Sequence, residues 1–309
     1  MSASLAQGLR LPRPAFKSWS GWWSQLATTL VSEKGALPEG LLAGMLCDDA
    51  EQAFMAGYQL ALARLVEGAP GHLRAFAVSE GAGRTLREMR THLARSAGNA
   101  DWILTGHKEF VTLPEDIEEC LVLATSVPDE TGESSVVVRL GRAQLARSLT
   151  ATGLHPPGMQ RVTFGKMTFS ELPIRNAALL KGNGHEDYSK RFRWLEDHLV
   201  LMALQGLLIR RVLIEDGVAD SRQARQDVER ILASAAALQG QVTLKSPDSL
   251  EALVFAGVRD QMLSLFKQWR QSGSDALISE LVVIEGLLSI AVQAQTRRAE
   301  KAWQQTLGG

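Results

Sequence analysis

Cysteine is scarce in this chain: Cys47 and Cys120 are the two among 309 residues, and neither lies near a CxxC pair or paired histidines. That excludes a disulfide framework, offers no metal-binding pattern, and favours a cytoplasmic location. An excess of charge is missing too. Lys and Arg number 33 against 34 Asp and Glu, for a formal net charge of −1. No stretch gathers five or six like charges, which argues against nucleic acid or an anionic membrane as a main partner. No run of about 18 apolar residues occurs, so no membrane span is expected. The nearest approach, Leu199 to Leu213, is interrupted by Gln205, Arg210 and Arg211 and reads as a buried bundle helix. Met1 to Lys17 lacks the continuous apolar core of a signal peptide.

What is present is a chain long enough for two or three structural units and for an enclosed ligand. Residues 19–31 and 38–66 are apolar at helical spacing, with Pro38 near a helix start and Gly68, Pro70 and Gly71 closing the block, which predicts a short helical unit over 1–72. Trp19, Trp22 and Trp23 within it suit core packing. From Leu73 onward short runs rich in β-branched and aromatic residues are separated by glycines, prolines and charged turns, predicting an antiparallel β domain over 73–182. Thr105–Gly106 reads as a tight hairpin turn. Beyond Gly182 and Gly184 the helical period returns. Breaks near 217–220, 240–247 and 271–275 leave four amphipathic segments, an antiparallel four-helix bundle over 183–309. The fold class is therefore α+β.

Three segments then carry a resemblance: AFAVSEGAGRTLREMRTHL (75–93), DWILTGHKEFVTLPEDIEECLVLATS (101–126) and QRVTFGKMTFSELPI (160–174). In their order and spacing, set between a helical unit and a bundle, they resemble the acyl-CoA dehydrogenases, of which this chain is identified as a divergent, shortened member. The resemblance implies FAD as cofactor. It places Val78 and Ser79 at the pyrimidine side of the flavin, Phe110 against the ring and Thr112 near N5. Gly81 and Gly83 stand where the family's turn approaches the pyrophosphate, glycine permitting close backbone approach. Arg84 and Thr85 follow where family members have Ser-Asp. Arg84 reads equally as a bidentate phosphate partner or a solvated surface residue. From the residues alone, Ser79 and Thr112 are also able to satisfy local backbone groups and Phe110 to be ordinary core.

Motifs of the family that reach the adenine half of FAD, Arg-x-x-Phe-Gly and Gln-x-x-Gly-Gly, are not found; residues 208–227 read LIRRVLIEDGVADSRQARQD instead. FAD binding weaker than the family norm, or completed by a second chain, is the expectation. The late loop that usually bears the catalytic glutamate is not found either, and Glu280 and Glu285 sit in an apolar helical run. A minority of the family carries this base on the first bundle helix, here RFRWLEDHLVLMALQGLL (191–208), where the resemblance points to Glu196. Asp197 follows it in place of the usual Arg, so a solvated acidic turn paired with Arg193 or His198 stays open. Two functions follow: an FAD-dependent dehydrogenase acting on an acyl thioester of CoA or a carrier protein, or a non-catalytic subunit or thioester-binding protein of the same fold. Residues 277–292 are apolar over more than one helix face, which predicts a homodimer or a heteromer with another dehydrogenase-like chain.

Overall fold

The computed structural model describes residues 3–306 apart from 36, 69–70, 82–87, 98–100, 114, 127–134, 157, 216–220 and 243–248. The described residues of the N-terminal part form helices α1 (Ala3–Arg10), α2 (Trp19–Ser32), α3 (Glu39–Met45) and α4 (Ala50–Leu65). The apolar block 38–66 resolves into two helices because Asp49 starts a new one, its side chain accepting the Gln52 N–H at 3.1 Å.

Among the described residues seven strands follow, β1 (Arg74–Ala77), β2 (His92–Arg95), β3 (Trp102–Thr112), β4 (Glu119–Ser126), β5 (Ser135–Gly141), β6 (Leu149–Leu154) and β7 (Phe164–Ile174), with a short helix α5 (Arg142–Ser148) before β6. They form one sheet in the order β1-β4-β2-β3-β7-β6, with β5 on β4. The sheet is mixed. β1 and β2 both meet β4 in parallel, whereas the remaining pairs are antiparallel. Alternation of residue types marks a strand but not the direction of its neighbour. Thr105–Gly106 is a bulge rather than a hairpin: both residues lie inside β3, at a register shift against β7. Gly106 has φ +133°, and a Cβ there would come within 2.5 Å of Thr91 Cα, so the bend needs glycine. A second register shift lies between Lys108 and Val111.

The C-terminal part comprises α6 (Arg191–Arg210), α7 (Arg222–Val242), α8 (Ser249–Ser272) and α9 (Asp275–Thr306), with a π-helical turn, Gly184–Lys190, leading into α6. α6 is the hub, packed against α3 and α4 on one side and α7 on another. Its closeness to α3 and α4 comes from missing side chains. A Cβ on Gly57 would lie 2.4 Å from Val200 Cα, and Cβ atoms on Gly44 and Gly206 would overlap the carbonyl oxygens of Ala203 and Leu41. Side-chain bonds hold the remaining helices in place. Trp269 Nε1 donates to Asp227 at 3.0 Å, joining α8 to α7. Glu280 accepts the Ala50 N–H at the start of α4 and pairs with Arg211 at 3.0 Å, while Glu285 pairs with Arg270 at 2.7 Å. Both glutamates thus tie helices together. No helix among the described residues is long and apolar enough to cross a membrane.

Candidate active site

A cavity of about 300 Å³ lies between the sheet and the helices. Its β wall is made by Val78 and Ser79 just beyond β1, Phe110 and Thr112 near the end of β3, and Phe164 at the start of β7. Its helical wall is made by Phe54 and Tyr58 of α4, Phe192, Glu196 and Val200 of α6, Phe255 of α8, and Leu287 and Leu288 of α9. Five of the residues singled out from sequence, Val78, Ser79, Phe110, Thr112 and Glu196, are therefore brought to one space. Gly81 lies beside it, with φ +66° in the turn that follows Glu80. Gly83, Arg84 and Thr85 lie outside the described residues.

The turn carrying Val78 and Ser79 is pinned from beneath by an ion pair that sequence reasoning passed over. Lys108, 0% exposed, donates to Glu80 at 2.7 Å and to the Val78 carbonyl at 3.1 Å. Glu80 also accepts the Arg90 and Thr91 N–H groups at 2.6 and 3.0 Å. Burial alone would raise the Glu80 carboxyl, but these hydrogen bonds and the lysine charge hold it down at about 2. Burial lowers the Lys108 pKa against the pull of Glu80. The Glu109 N–H completes the anchor by donating to the Ser79 carbonyl at 2.8 Å. Both pair members stand within the matched motifs, so the signal was a buried-type strand containing a lysine and a nearby glutamate.

Phe110 occupies the second register shift of β3 with φ +58°. A left-handed conformation costs a non-glycine residue roughly 1–2 kcal/mol, yet this large ring remains 50% exposed. It is supported edge-on by Phe164 at 5.7 Å. The bulge turns the ring into the cavity instead of the core, a use of backbone strain typical of ligand sites. Thr112, buried, closes the strand opposite Phe164.

Across the cavity, aromatic rings line the same wall as Glu196. Phe54 stacks on Tyr58 at 6.0 Å, and Phe192 meets Tyr58 and Phe76 edge-on at 5.4 and 5.3 Å. Glu196, half-buried, lies one turn before Val200, the residue that Gly57 admits against α4. It has no hydrogen-bond or ion-pair partner among the described residues. Burial, then the charge of Asp197, push its pKa up to about 8, against the opposing pull of Arg193. Asp197, also on the cavity wall, accepts from Gln295 (3.0 Å) and Arg298 of α9. His198, fully buried, sets its nitrogens against the Trp194 carbonyl (2.8 Å) and Gln241 Oε1 (2.7 Å), and burial lowers its pKa. Among the described residues, neither Glu196 nor Asp197 is hydrogen-bonded to Arg193 or His198. Phe54, Tyr58 and Phe255 were not legible as site residues, because they sit in ordinary amphipathic helices and reach the cavity only through tertiary packing.

A carboxyl with a raised pKa, unpaired in a mainly apolar cleft, suits proton abstraction. An exposed aromatic face flanked by hydroxyls and turn backbone suits a planar heterocycle, so these residues fit a flavin ring. The architecture is that of the acyl-CoA dehydrogenases. No protein-family model and no curated protein matches the sequence, but solved structures match nearly end to end. A FAD-dependent dehydrogenase has 14% identity and a TM-score of 0.66, over 99% of this chain and 96% of that one. A prolyl acyl carrier protein oxidase has 14% identity and a TM-score of 0.66, over 100% and 94%. Butyryl-CoA dehydrogenase from Megasphaera elsdenii has 10% identity and a TM-score of 0.63, over 98% of each chain. At such identities the likeness establishes the fold.

Proposed function

We propose that this protein is a flavin-dependent, acyl-CoA dehydrogenase-like enzyme that binds FAD against the β wall and removes the α-proton of an acyl thioester with Glu196. One observation carries the reading: an unpaired carboxyl with a pKa of about 8 and an exposed, strained Phe110 beside Thr112 share one cavity of about 300 Å³. When bound, FAD supplies the acceptor for the hydride leaving the β-carbon. The chain's own residues do the rest. Phe110 covers the ring, the Thr112 hydroxyl and the Val78–Ser79 turn address its polar edge, and the aromatic box excludes water so that Glu196 can take the α-proton near neutral pH. The similar structures include a butyryl-CoA dehydrogenase and a prolyl acyl carrier protein oxidase, which supports the thioester without choosing its carrier.

A second reading, a thioester-binding subunit without turnover, draws on the missing adenine-side motifs. Anaerobic mixing of FAD-loaded protein with a panel of acyl thioesters separates the two. The enzyme reading predicts loss of flavin absorbance in the parent and a 10²–10⁴-fold slower loss in Glu196→Gln, with flavin content unchanged. Retention of full bleaching by the variant removes Glu196 as base. A parent that holds FAD and bleaches with none of the thioesters favours the subunit.

A further inference from the structure

The two walls of the cavity are joined at one end by a carboxylate that the reading above does not use. Glu51 stands in the first turn of α4, behind the Asp49 cap, where a helix N-terminus favours an acidic residue. Its buried side chain reaches the segment before β7: Oε1 accepts the Gln160 N–H at 3.0 Å, and Oε2 accepts those of Arg161 and Val162 at 2.7 and 2.9 Å. Three consecutive N–H groups converging on one spot suit an anion, and here the chain supplies it through charge-assisted bonds. The same segment is held from other sides. Arg161 pairs with Asp49 and lies over the rings of Phe16 and Trp19 at 4.8 and 5.6 Å, while Trp19 Nε1 donates to the Arg161 carbonyl at 3.2 Å. Both halves of this clasp adjoin the site. Phe54 and Tyr58 follow Glu51 by three and seven residues, on one face of α4. Phe164, which supports Phe110 and stands opposite Thr112, comes two residues after Val162.

We propose that Glu51 is a positioning residue: by fixing residues 160–162 on the start of α4, it sets the gap between the β wall and the helical wall of the cavity. The helical wall carries Phe54 and Tyr58 and, through the Gly57–Val200 approach, Glu196. The proposal deepens the flavin reading and rests on it for its catalytic consequence, whereas the clasp itself belongs to the ligand-free chain. Removal of the carboxylate leaves three N–H groups to find other partners, one of them on the fully buried Val162. The segment then leaves α4 and the gap changes. Phe110 and Thr112 stay in the sheet, so FAD is still held. Proton abstraction depends far more on the gap, because base and flavin must meet one acyl group from opposite sides, and a misplacement of about 1 Å costs about 10²-fold.

The test compares Glu51→Ala and Glu51→Asp with Asp227→Ala, which removes a buried carboxylate that joins α7 to α8 and stands apart from the cavity lining. In the ligand-free protein, amide hydrogen exchange at Gln160, Arg161 and Val162 should quicken together by about tenfold or more in Glu51→Ala and keep the parent rate in Asp227→Ala. In FAD-loaded protein, Glu51→Ala should hold FAD within about threefold of the parent affinity. At saturating thioester its flavin should bleach about 10–10²-fold more slowly. Glu51→Asp, which keeps the charge on a shorter arm, should fall between the two, and Asp227→Ala should match the parent. Unchanged exchange at the three amides, parent-like bleaching in Glu51→Ala, or equal slowing in Asp227→Ala each overturn the proposal. Should Glu51→Ala not fold, Glu51→Asp carries both measurements. A parent that retains no flavin, or bleaches with no thioester, defeats the functional reading alone. Crystal structures of the ligand-free parent and variant then decide: a separation of Phe54 from Phe164 altered by about 1 Å, the displacement that matters for such chemistry, supports the clasp, and an unaltered one overturns it.

Discussion

Glu196 must be ionised before it can accept a proton, so its raised pKa has two readable consequences. The rate of thioester-dependent flavin reduction should climb about tenfold per pH unit below about 8 and level off above it. Stability moves the other way. Because the folded pKa exceeds the ordinary value of 4.5, the folded state keeps a proton that the unfolded chain releases, and stability falls as pH rises from about 4.5 to 8. Glu196→Gln should therefore melt with the parent at pH 4 and above it at pH 8.5, a difference that a thermal scan at the two pH values checks. Glu80 has the opposite sign. Held at about 2, it contributes stability present above about 4.5 and lost as pH falls toward 2. Glu80→Gln leaves the Lys108 ammonium buried without its counter-charge and should cost about 3–5 kcal/mol at pH 7 in a urea titration. At this scale the motifs make Phe110, Thr112, Val78 and Ser79 legible as neighbours, since a strand ending and a turn can be placed by spacing. The left-handed backbone of Phe110 is not legible, because residue type there gives no hint of positive φ. Phe110→Gly should accordingly be more stable than Phe110→Ala by about 1 kcal/mol, measured by chemical denaturation.

The elements most readable from sequence are the long ones. α6, α7, α8 and α9 announce themselves by period and by the breaks between them, and β3, β4, β5 and β7 by β-branched runs. Pairing direction and irregularity are not carried by such patterns. The parallel meeting of β1 and β2 with β4 depends on which edges remain open once the long strands pair, and the bulges in β3 depend on its neighbours. Glycines in α3, α4 and α6 look like mild helix breakers in the sequence, yet in the structure they let α6 sink against α3 and α4. Gly57→Ala should thus destabilise by about 1–3 kcal/mol through overpacking against Val200. It should also slow any Glu196-dependent step, because the base rides on the displaced helix. Gly257→Ala is the matched control. Nothing lies within 4 Å of its added Cβ, and relief of a flexible residue in mid-helix should stabilise α8 by about 0.5–1 kcal/mol. Differential scanning calorimetry on the two variants gives opposite signs if the crossing, and not glycine as such, matters.

For the whole molecule, the helical surround of the cavity depends on contacts from α4, α6 and the α8–α9 pair, which are far apart in sequence. That is why a family-like order of segments conveys the architecture while the aromatic box stays hidden. α9 buries Leu277, Leu281, Ile284 and Leu288 against the rest of the protein but leaves Val282 53% exposed beside half-buried Ile278. We propose that this second face pairs with another chain, a copy of itself or a related subunit. Light scattering should then show a species of at least twice the 33.6 kDa chain at micromolar concentration; a monomer would count against it. The central claim, that the β wall of the cavity receives a flavin ring, is tested most directly by titrating FAD into purified protein, alone and with any co-purifying chain, following absorption and retained flavin after dialysis. The account predicts saturable retention by the parent and weakening of about tenfold or more in Phe110→Ala, one aromatic stacking partner being worth about 1–3 kcal/mol. No retained flavin at high FAD concentration, or equal retention by parent and Phe110→Ala, would contradict it.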